Sequence, residues 1–138
     1  MNSKTVGERS EGQVLAALLK ADEIVLMPFG DNQRYDLVID EKGHFARIQV
    51  KTARLLKNGA IKARTTSSDG RGYIDQADYF AFYCPGNDKV YMVPVRQIGK
   101  TGMTLWPKSK KWPANTDYSS VHIAETYEFR PDYRIVRT

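Results

Sequence analysis

The stretch from Arg34 to Thr52 constrains this chain more than any other. It reads Arg34-Tyr35-Asp36-Leu37-Val38-Ile39-Asp40, then Glu41-Lys42-Gly43-His44, then Phe45-Ala46-Arg47-Ile48-Gln49-Val50-Lys51-Thr52. Two β-rich runs flank a four-residue polar connection containing glycine, which predicts a hairpin. In the first run Tyr35, Leu37 and Ile39 share one face, and Asp36, Val38 and Asp40 the other. In the second, Ala46, Ile48 and Val50 form an apolar face opposite Phe45, Arg47, Gln49 and Lys51. The period of two sets Gln49 beside Lys51, and strand pairing can bring Asp36 next to both. A carboxylate, an amide oxygen and an ammonium then converge. Asp36 and the Gln49 carbonyl suit a hard cation such as Mg²⁺, which takes a few oxygen ligands plus water. Lys51 can stabilise phosphate charge, or orient and deprotonate a water. Together they suit metal-assisted phosphodiester hydrolysis.

Composition limits the setting for such a site. A chain of 138 residues, 41% hydrophobic and 27% charged, suits one soluble domain with a modest core. Its net charge of +5 and sequence pI near 9.3 make a polyanionic partner plausible. Cys84 is the single cysteine, so no internal disulfide is available and a reducing cytoplasm fits. No apolar run reaches the ~18 residues of a membrane span, and no signal-peptide segment follows Met1.

Around the hairpin, Thr5-Val6-Gly7-Glu8 matches a capping box, and Val14, Leu15, Leu18 and Leu19 give helical spacing to about Lys20. Glu11 falls on that apolar stripe, where a carboxylate needs a partner. A ligand role toward a metal or its water is one reading, and a rim position paired with an arginine is the other. Ile24 to Pro28 predicts a short strand. Thr52 to Thr65 predicts a strand pair turning at Asn58-Gly59, and Thr66 to Gly72 a mobile loop. Between Arg47 and Arg71 lie Lys51, Arg54, Lys57, Lys62 and Arg64 against a single acid, Asp69. Because this basic run begins at the candidate site, it reads as a surface for backbone phosphates rather than a merely solvated face.

Asp78 to Cys84 and Val90 to Val95 are near-continuously apolar, which predicts central strands buried on both sides. Cys84 is then a core residue, and Tyr79, Phe80, Phe82 and Tyr83 pack rather than stack on bases. From Gly99 to Pro113, Lys100, Lys108, Lys110 and Lys111 interleave with Trp106 and Trp112. That pattern suits a nucleic-acid groove or a cover over the core edge. Tyr118 to Phe129 is expected to be a helix with Val121, Ile123, Ala124 and Tyr127 inward. His44 and His122 lack neighbours at zinc spacing and are read as surface residues.

The ordered set of helical Glu11, then Asp36, then Gln49-Val50-Lys51 resembles the PD-(D/E)XK nuclease superfamily. More closely, Gly7-Glu8-Arg9-Ser10-Glu11, Asn32-Gln33-Arg34-Tyr35-Asp36-Leu37-Val38, Ile48-Gln49-Val50-Lys51-Thr52-Ala53 and Tyr79-Phe80-Ala81-Phe82-Tyr83 resemble its members encoded in group I introns. Gln49 stands where most of the superfamily has Asp or Glu, and Tyr35 where the motif has proline. The resemblance implies an α/β fold, a mixed central β-sheet flanked by helices with the site at one sheet edge. It implies a Mg²⁺-dependent, site-specific endonuclease of double-stranded DNA, with a Holliday-junction resolvase or a non-catalytic DNA-binding relative as alternatives. Asp36, Gln49 and Glu11 would bind metal, and Lys51 would position water. Arg34, Arg54, Lys57, Lys62, Arg64, Arg71, Lys108, Lys110 and Lys111 are the candidate DNA contacts. Residues 1–138 are expected to form one nuclease domain, with a catalytic core over 1–95. Residues 96–138 would be an extension for DNA contact or oligomerisation. One site cuts one strand, so a homodimer or homotetramer is expected.

Overall fold

A computed structural model of the protein describes residues 1–30, 33–66 and 75–132. Helix α1 spans Ser3–Lys20. Its N-cap is Asn2, whose side chain accepts the Thr5 N–H at 2.9 Å, rather than the expected Thr5. Asn2 has the extended backbone that a cap requires, which leaves Glu8 exposed on the helix flank. At the other end Asp22 takes φ 61°. The Glu23 N–H bonds Leu18 O and the Asp22 N–H bonds Leu19 O, a Schellman closure with Asp in the place glycine usually fills. Val14 and Leu18 are buried as the periodicity predicts, but Leu19 is exposed.

The main sheet contains β1 (Ile24–Leu26), β2 (Leu37–Glu41), β3 (His44–Thr52), β6 (Tyr79–Cys84) and β7 (Lys89–Pro94), in the order β1-β2-β3-β6-β7. Only β3 and β6 run parallel; the other neighbours are antiparallel. The β2–β3 connection is shorter than expected, because Glu41 pairs with His44 and leaves Lys42-Gly43 as a two-residue turn. Both turn residues have positive φ, 55° and 85°, and the Gly43 N–H bonds Asp40 Oδ1 at 2.7 Å. That left-handed pair matches the twist of the strands it joins.

A second sheet, β4-β5-β8, forms from β4 (Arg54–Leu55), β5 (Ile61–Arg64) and β8 (Gly102–Leu105). Gly59, at φ 87°, closes the predicted turn between β4 and β5. Gly86 lets the β6–β7 turn reach β4, since a Cβ there would stand 2.7 Å from that of Leu55. Strands β6 and β7 are buried on both faces, as their apolar character predicts. One face, with Ala81 and Met92, packs with Leu37, Ile39 and Ile48 under Val14 and Leu18 of α1. The other, with Phe80, Phe82, Cys84 and Val93, packs against Ile61, Met103, Leu105 and Ala124. Each fully buried side chain of this size contributes ~1.5–3 kcal/mol.

The helix expected over Tyr118 to Phe129 does not form. A 3₁₀ turn at Tyr118–Ser120 and one helical turn, α2 (Ala124–Tyr127), replace it. Backbone pairing with Trp106 wins. The Trp106 N–H donates to His122 O and the Ala124 N–H to Trp106 O, both at 2.8 Å, so the intervening residues extend. His122 is half-buried, its Nδ1 3.2 Å from the Tyr127 hydroxyl, rather than on an exposed helix. Downstream, Phe129 N–H bonds Val90 O and Glu128 pairs with Tyr91 on β7.

Candidate active site

Asp36 immediately precedes β2, and β3 holds it at both ends. Its N–H donates to Ile48 O at 2.8 Å, and its Oδ2 accepts the Val50 N–H at 2.8 Å. Val50 lies between Gln49 and Lys51, so this bond fixes the carboxylate beside the two side chains that strand periodicity places on the opposite face from Val50. At the start of that stretch Arg47 grips Asp78, with Nε–Oδ2 and Nη2–Oδ1 contacts of 3.1 Å, and ties β3 to the head of β6. The strand that carries the site is thus braced on both sides.

Glu11 arrives from α1. The hydroxyls of Ser10 and Thr52 share a short hydrogen bond, and Val14 and Leu18 are buried one and two turns on. Together they press this part of the helix onto β3. Glu11 and Asp36 line one cleft of about 190 Å³ with Met27, Pro28, Gly30, Gln33 and Tyr35. Among the described residues, the charges that act on Glu11 are those of Asp36 and Glu8.

Asp36, Glu11 and Lys51 are each displaced from their ordinary values. Burial raises the Asp36 pKa above 3.8, against the opposing effects of the Val50 N–H and the Lys51 charge. Burial also raises that of Glu11 above 4.5, with the Asp36 and then the Glu8 charge adding to it. Lys51 moves the other way: burial lowers it below 10.5, Asp36 opposes the shift, and Arg64 and Arg34 reinforce it. Its Nζ donates to Thr66 O at 3.1 Å.

Two partly buried carboxylates, the charge of Asp36 raising the Glu11 pKa, form a donor set whose burden of negative charge a divalent cation relieves. Gln49 adds an amide whose nitrogen donates to Val50 O at 3.3 Å, leaving the oxygen as the end suited to a cation. Among the described residues no three His, Cys, Asp or Glu side chains meet at metal-holding distance. Position 49 carries an amide instead of a third carboxylate, and two carboxylates, an amide oxygen and water fit Mg²⁺.

The basic residues divide into separate groups. Arg54 and Lys62 are direct cross-strand partners on β4 and β5, and Arg64 follows on the same exposed face of β5. Like charges facing each other across a ladder disfavour the sheet unless a polyanion neutralises them. Lys57 is exposed in the turn between these strands, and Arg34 is half-buried within the electrostatic reach of Lys51. Arg71, and all but Thr66 of the loop expected from Thr66 to Gly72, lie outside the described residues. Lys108 and Lys111 are exposed on the C-terminal segment.

Lys110 has other company. Its Nζ sits 4.8 Å from the ring centroids of both Trp106 and Trp112, and Tyr118 extends the stack edge-on. The two tryptophans also meet each other edge-on, their ring centroids 5.4 Å apart. Sequence reasoning did not single out Gln33, Tyr35 or Thr66. Tyr35 had a signal, its place directly before Asp36; Thr66 had none.

A sequence profile described as PD-(D/E)XK endonuclease matches residues 1–130. No curated protein matches the chain in sequence. Among solved structures, a bacterial homing endonuclease, I-Ssp6803I, superposes with a TM-score of 0.68 at 23% identity, covering 92% of this chain and 86% of that one. Hjc, a Holliday junction resolvase of the archaeal hyperthermophile Archaeoglobus fulgidus, gives a TM-score of 0.48 at 20% identity, with coverage of 70% and 82%.

Proposed function

Starting from the premise that the chain belongs to the PD-(D/E)XK endonuclease family, we propose that it is a Mg²⁺-dependent, site-specific endonuclease of double-stranded DNA. The observation that carries this reading is the clip between Asp36 Oδ2 and the Val50 N–H. It sets a half-buried carboxylate beside Gln49 and Lys51 at the foot of a cleft that Glu11 shares. Asp36, Glu11 and the Gln49 amide oxygen would hold the cation. When bound, the cation supplies Lewis-acid stabilisation of phosphate charge.

The chain's own groups do the rest. Lys51, its ammonium fixed by Thr66 O and drawn to Asp36, orients the attacking water. Burial lowers its proton affinity, and Arg64 and Arg34 add to that shift while Asp36 opposes it. The cationic outer face of Arg54, Lys62 and Arg64 grips backbone phosphates, with Lys57 and Arg34 at its margins.

A homodimer or homotetramer supplies the second site that a double-strand break needs. Residues 96–138 would contribute DNA contacts through Lys108 and Lys111, or the contact between copies. Cleavage of plasmid and linear duplex against a synthetic four-way junction, with Mg²⁺ and with EDTA, tests the reading. Metal-dependent cutting of linear duplex is expected. Cutting confined to the junction would make the chain a resolvase, and binding without cutting a DNA-binding relative. Light scattering at micromolar concentration tests assembly, and a monomer that makes concerted double-strand breaks would contradict the symmetric pair.

A further inference from the structure

Lys51 and Arg64 belong to different sheets, yet one residue holds both. The Lys51 Nζ donates to the backbone carbonyl of Thr66 at 3.1 Å, and the Arg64 Nε donates to the Thr66 side-chain hydroxyl at 3.1 Å. Thr66 is only 7% exposed, so neither bond is readily exchanged for one to water. The residue before it is stapled as well. The Thr65 hydroxyl donates to Gly99 O at 2.8 Å, and the Thr65 N–H to Thr101 O at 3.1 Å. These bonds tie the segment after β5 to the approach of β8. Thr66 is therefore a fixed bracket whose two polar ends reach the lysine of the candidate active site and a cation of the phosphate-binding face.

We propose that Thr66 is a positioning residue: it makes the grip of Arg64 on a DNA backbone phosphate set the orientation of the Lys51 ammonium. The proposal rests on the nuclease reading above and adds a coupling to it. A phosphate held by the Arg64 guanidinium immobilises that group while Nε stays on Thr66. The Thr66 hydroxyl and carbonyl are then held together, and the ammonium bound to that carbonyl faces Asp36 from one place. A phosphate is a further anchor on a guanidinium that Thr66 already holds through Nε. Lys51 would thus be best placed when duplex lies along β5. The device favours cutting of DNA seated on the basic face over DNA that only touches the cleft.

A double-mutant cycle tests this on whichever DNA the wild type cuts, supercoiled plasmid or a synthetic four-way junction. The readout is the single-turnover cleavage rate at saturating protein, with affinity measured separately by anisotropy in EDTA. Thr66→Val keeps the carbonyl and the shape but loses the hydroxyl, and should slow the saturated rate roughly ten-fold, as a modest displacement of a reacting group does. Thr66→Ser restores the hydroxyl and should restore the rate. Arg64→Lys keeps the charge for phosphate but has no Nε, and should match Thr66→Val without needing any change at the buried position. Combining Thr66→Val with Arg64→Lys should slow cleavage no further than the slower single variant.

Effects that multiply would overturn the coupling. So would a Thr66→Val protein that cuts at the wild-type rate once saturated and only binds more weakly. If Thr66→Val does not fold, Arg64→Lys decides alone: a wild-type saturated rate rejects the proposal and a ten-fold loss supports it. A wild type that cuts neither DNA with Mg²⁺ rejects the nuclease reading itself, and the coupling with it.

Discussion

Two lysines mark the contrast between the two ends of this molecule. Lys51 sits half-buried near the C-terminal end of β3, the central strand of the main sheet, under the charge of Asp36 and within the field of Arg64 and Arg34, bonded to a backbone carbonyl. Lys110 sits in the C-terminal segment between the faces of Trp106 and Trp112. Ring quadrupoles stabilise the second ammonium, and such contacts are worth ~0.5–2 kcal/mol each. Burial lowers the hold of the first on its proton, Asp36 opposes that shift, and Arg64 and Arg34 reinforce it. One lysine meets a carboxylate and two cations, the other two aromatic rings. The residue types and local charge are alike in sequence, so the surroundings make the difference.

The sharpest test of this division is Asp36→Asn. Loss of the charge that faces Lys51 should reduce cleavage by roughly 1,000-fold, at the upper end of what a single electrostatic contact contributes. DNA affinity should persist, because the proposed phosphate contacts are the cations of β4 and β5. The same change should stabilise the protein in EDTA at neutral pH. A carboxyl whose folded pKa is raised above 3.8 contributes stability only below its unfolded pKa, and loses it as pH rises through the folded value. At neutral pH the charged group therefore costs stability, and urea titration should find the Asn variant ahead there and the gap closing in acid. Retained cutting would remove Asp36 from the reaction.

Gln49 should show the next largest effect. Gln49→Ala should lower the rate at least the roughly ten-fold that loss of an outer partner costs a metal site, with recovery at high Mg²⁺. Gln49→Glu restores a third carboxylate, and should stay active or change the preferred cation. A wild-type rate from Gln49→Ala would reduce the side chain to its Val50 hydrogen bond.

Neutralising Arg54, Lys57, Lys62 and Arg64 should leave chemistry at saturation less affected than Asp36→Asn, yet flatten the salt dependence of binding. For every duplex phosphate that the variant no longer neutralises, the slope of log K against log salt should fall by ~0.9. An unchanged slope would move the DNA to Lys108 and Lys111, and turn the comparison around.

The smallest change belongs to the aromatic end. Lys110→Met should cost about 0.5–2 kcal/mol in urea unfolding while leaving cleavage and salt slope at wild-type values. A loss of DNA affinity without loss of stability would show that Lys110 leaves its rings to meet phosphate.

Local periodicity alone determined the parts that matter most for a site. Alternation along Arg34 to Thr52 put Leu37, Ile39, Ala46 and Ile48 inside, and that forced Gln49 and Lys51 onto one face. The apolar runs of β6 and β7 required burial on both sides, because such strands have no face fit for water. The tertiary structure decided what depends on partners distant in the chain. Asn2 caps α1 because its backbone is extended where the helix begins, a matter of geometry that Thr5 and Glu8 merely imitate in letters. The Tyr118 to Phe129 stretch gave up its helix because Trp106 offered its backbone groups better partners. Lys110 met two rings, and Lys51 met Thr66, through folding of segments whose spacing carries no signal of the encounter. Repeating patterns encode which side of an element faces the core; single long-range contacts between polar groups repeat nowhere, so only the folded chain reveals them.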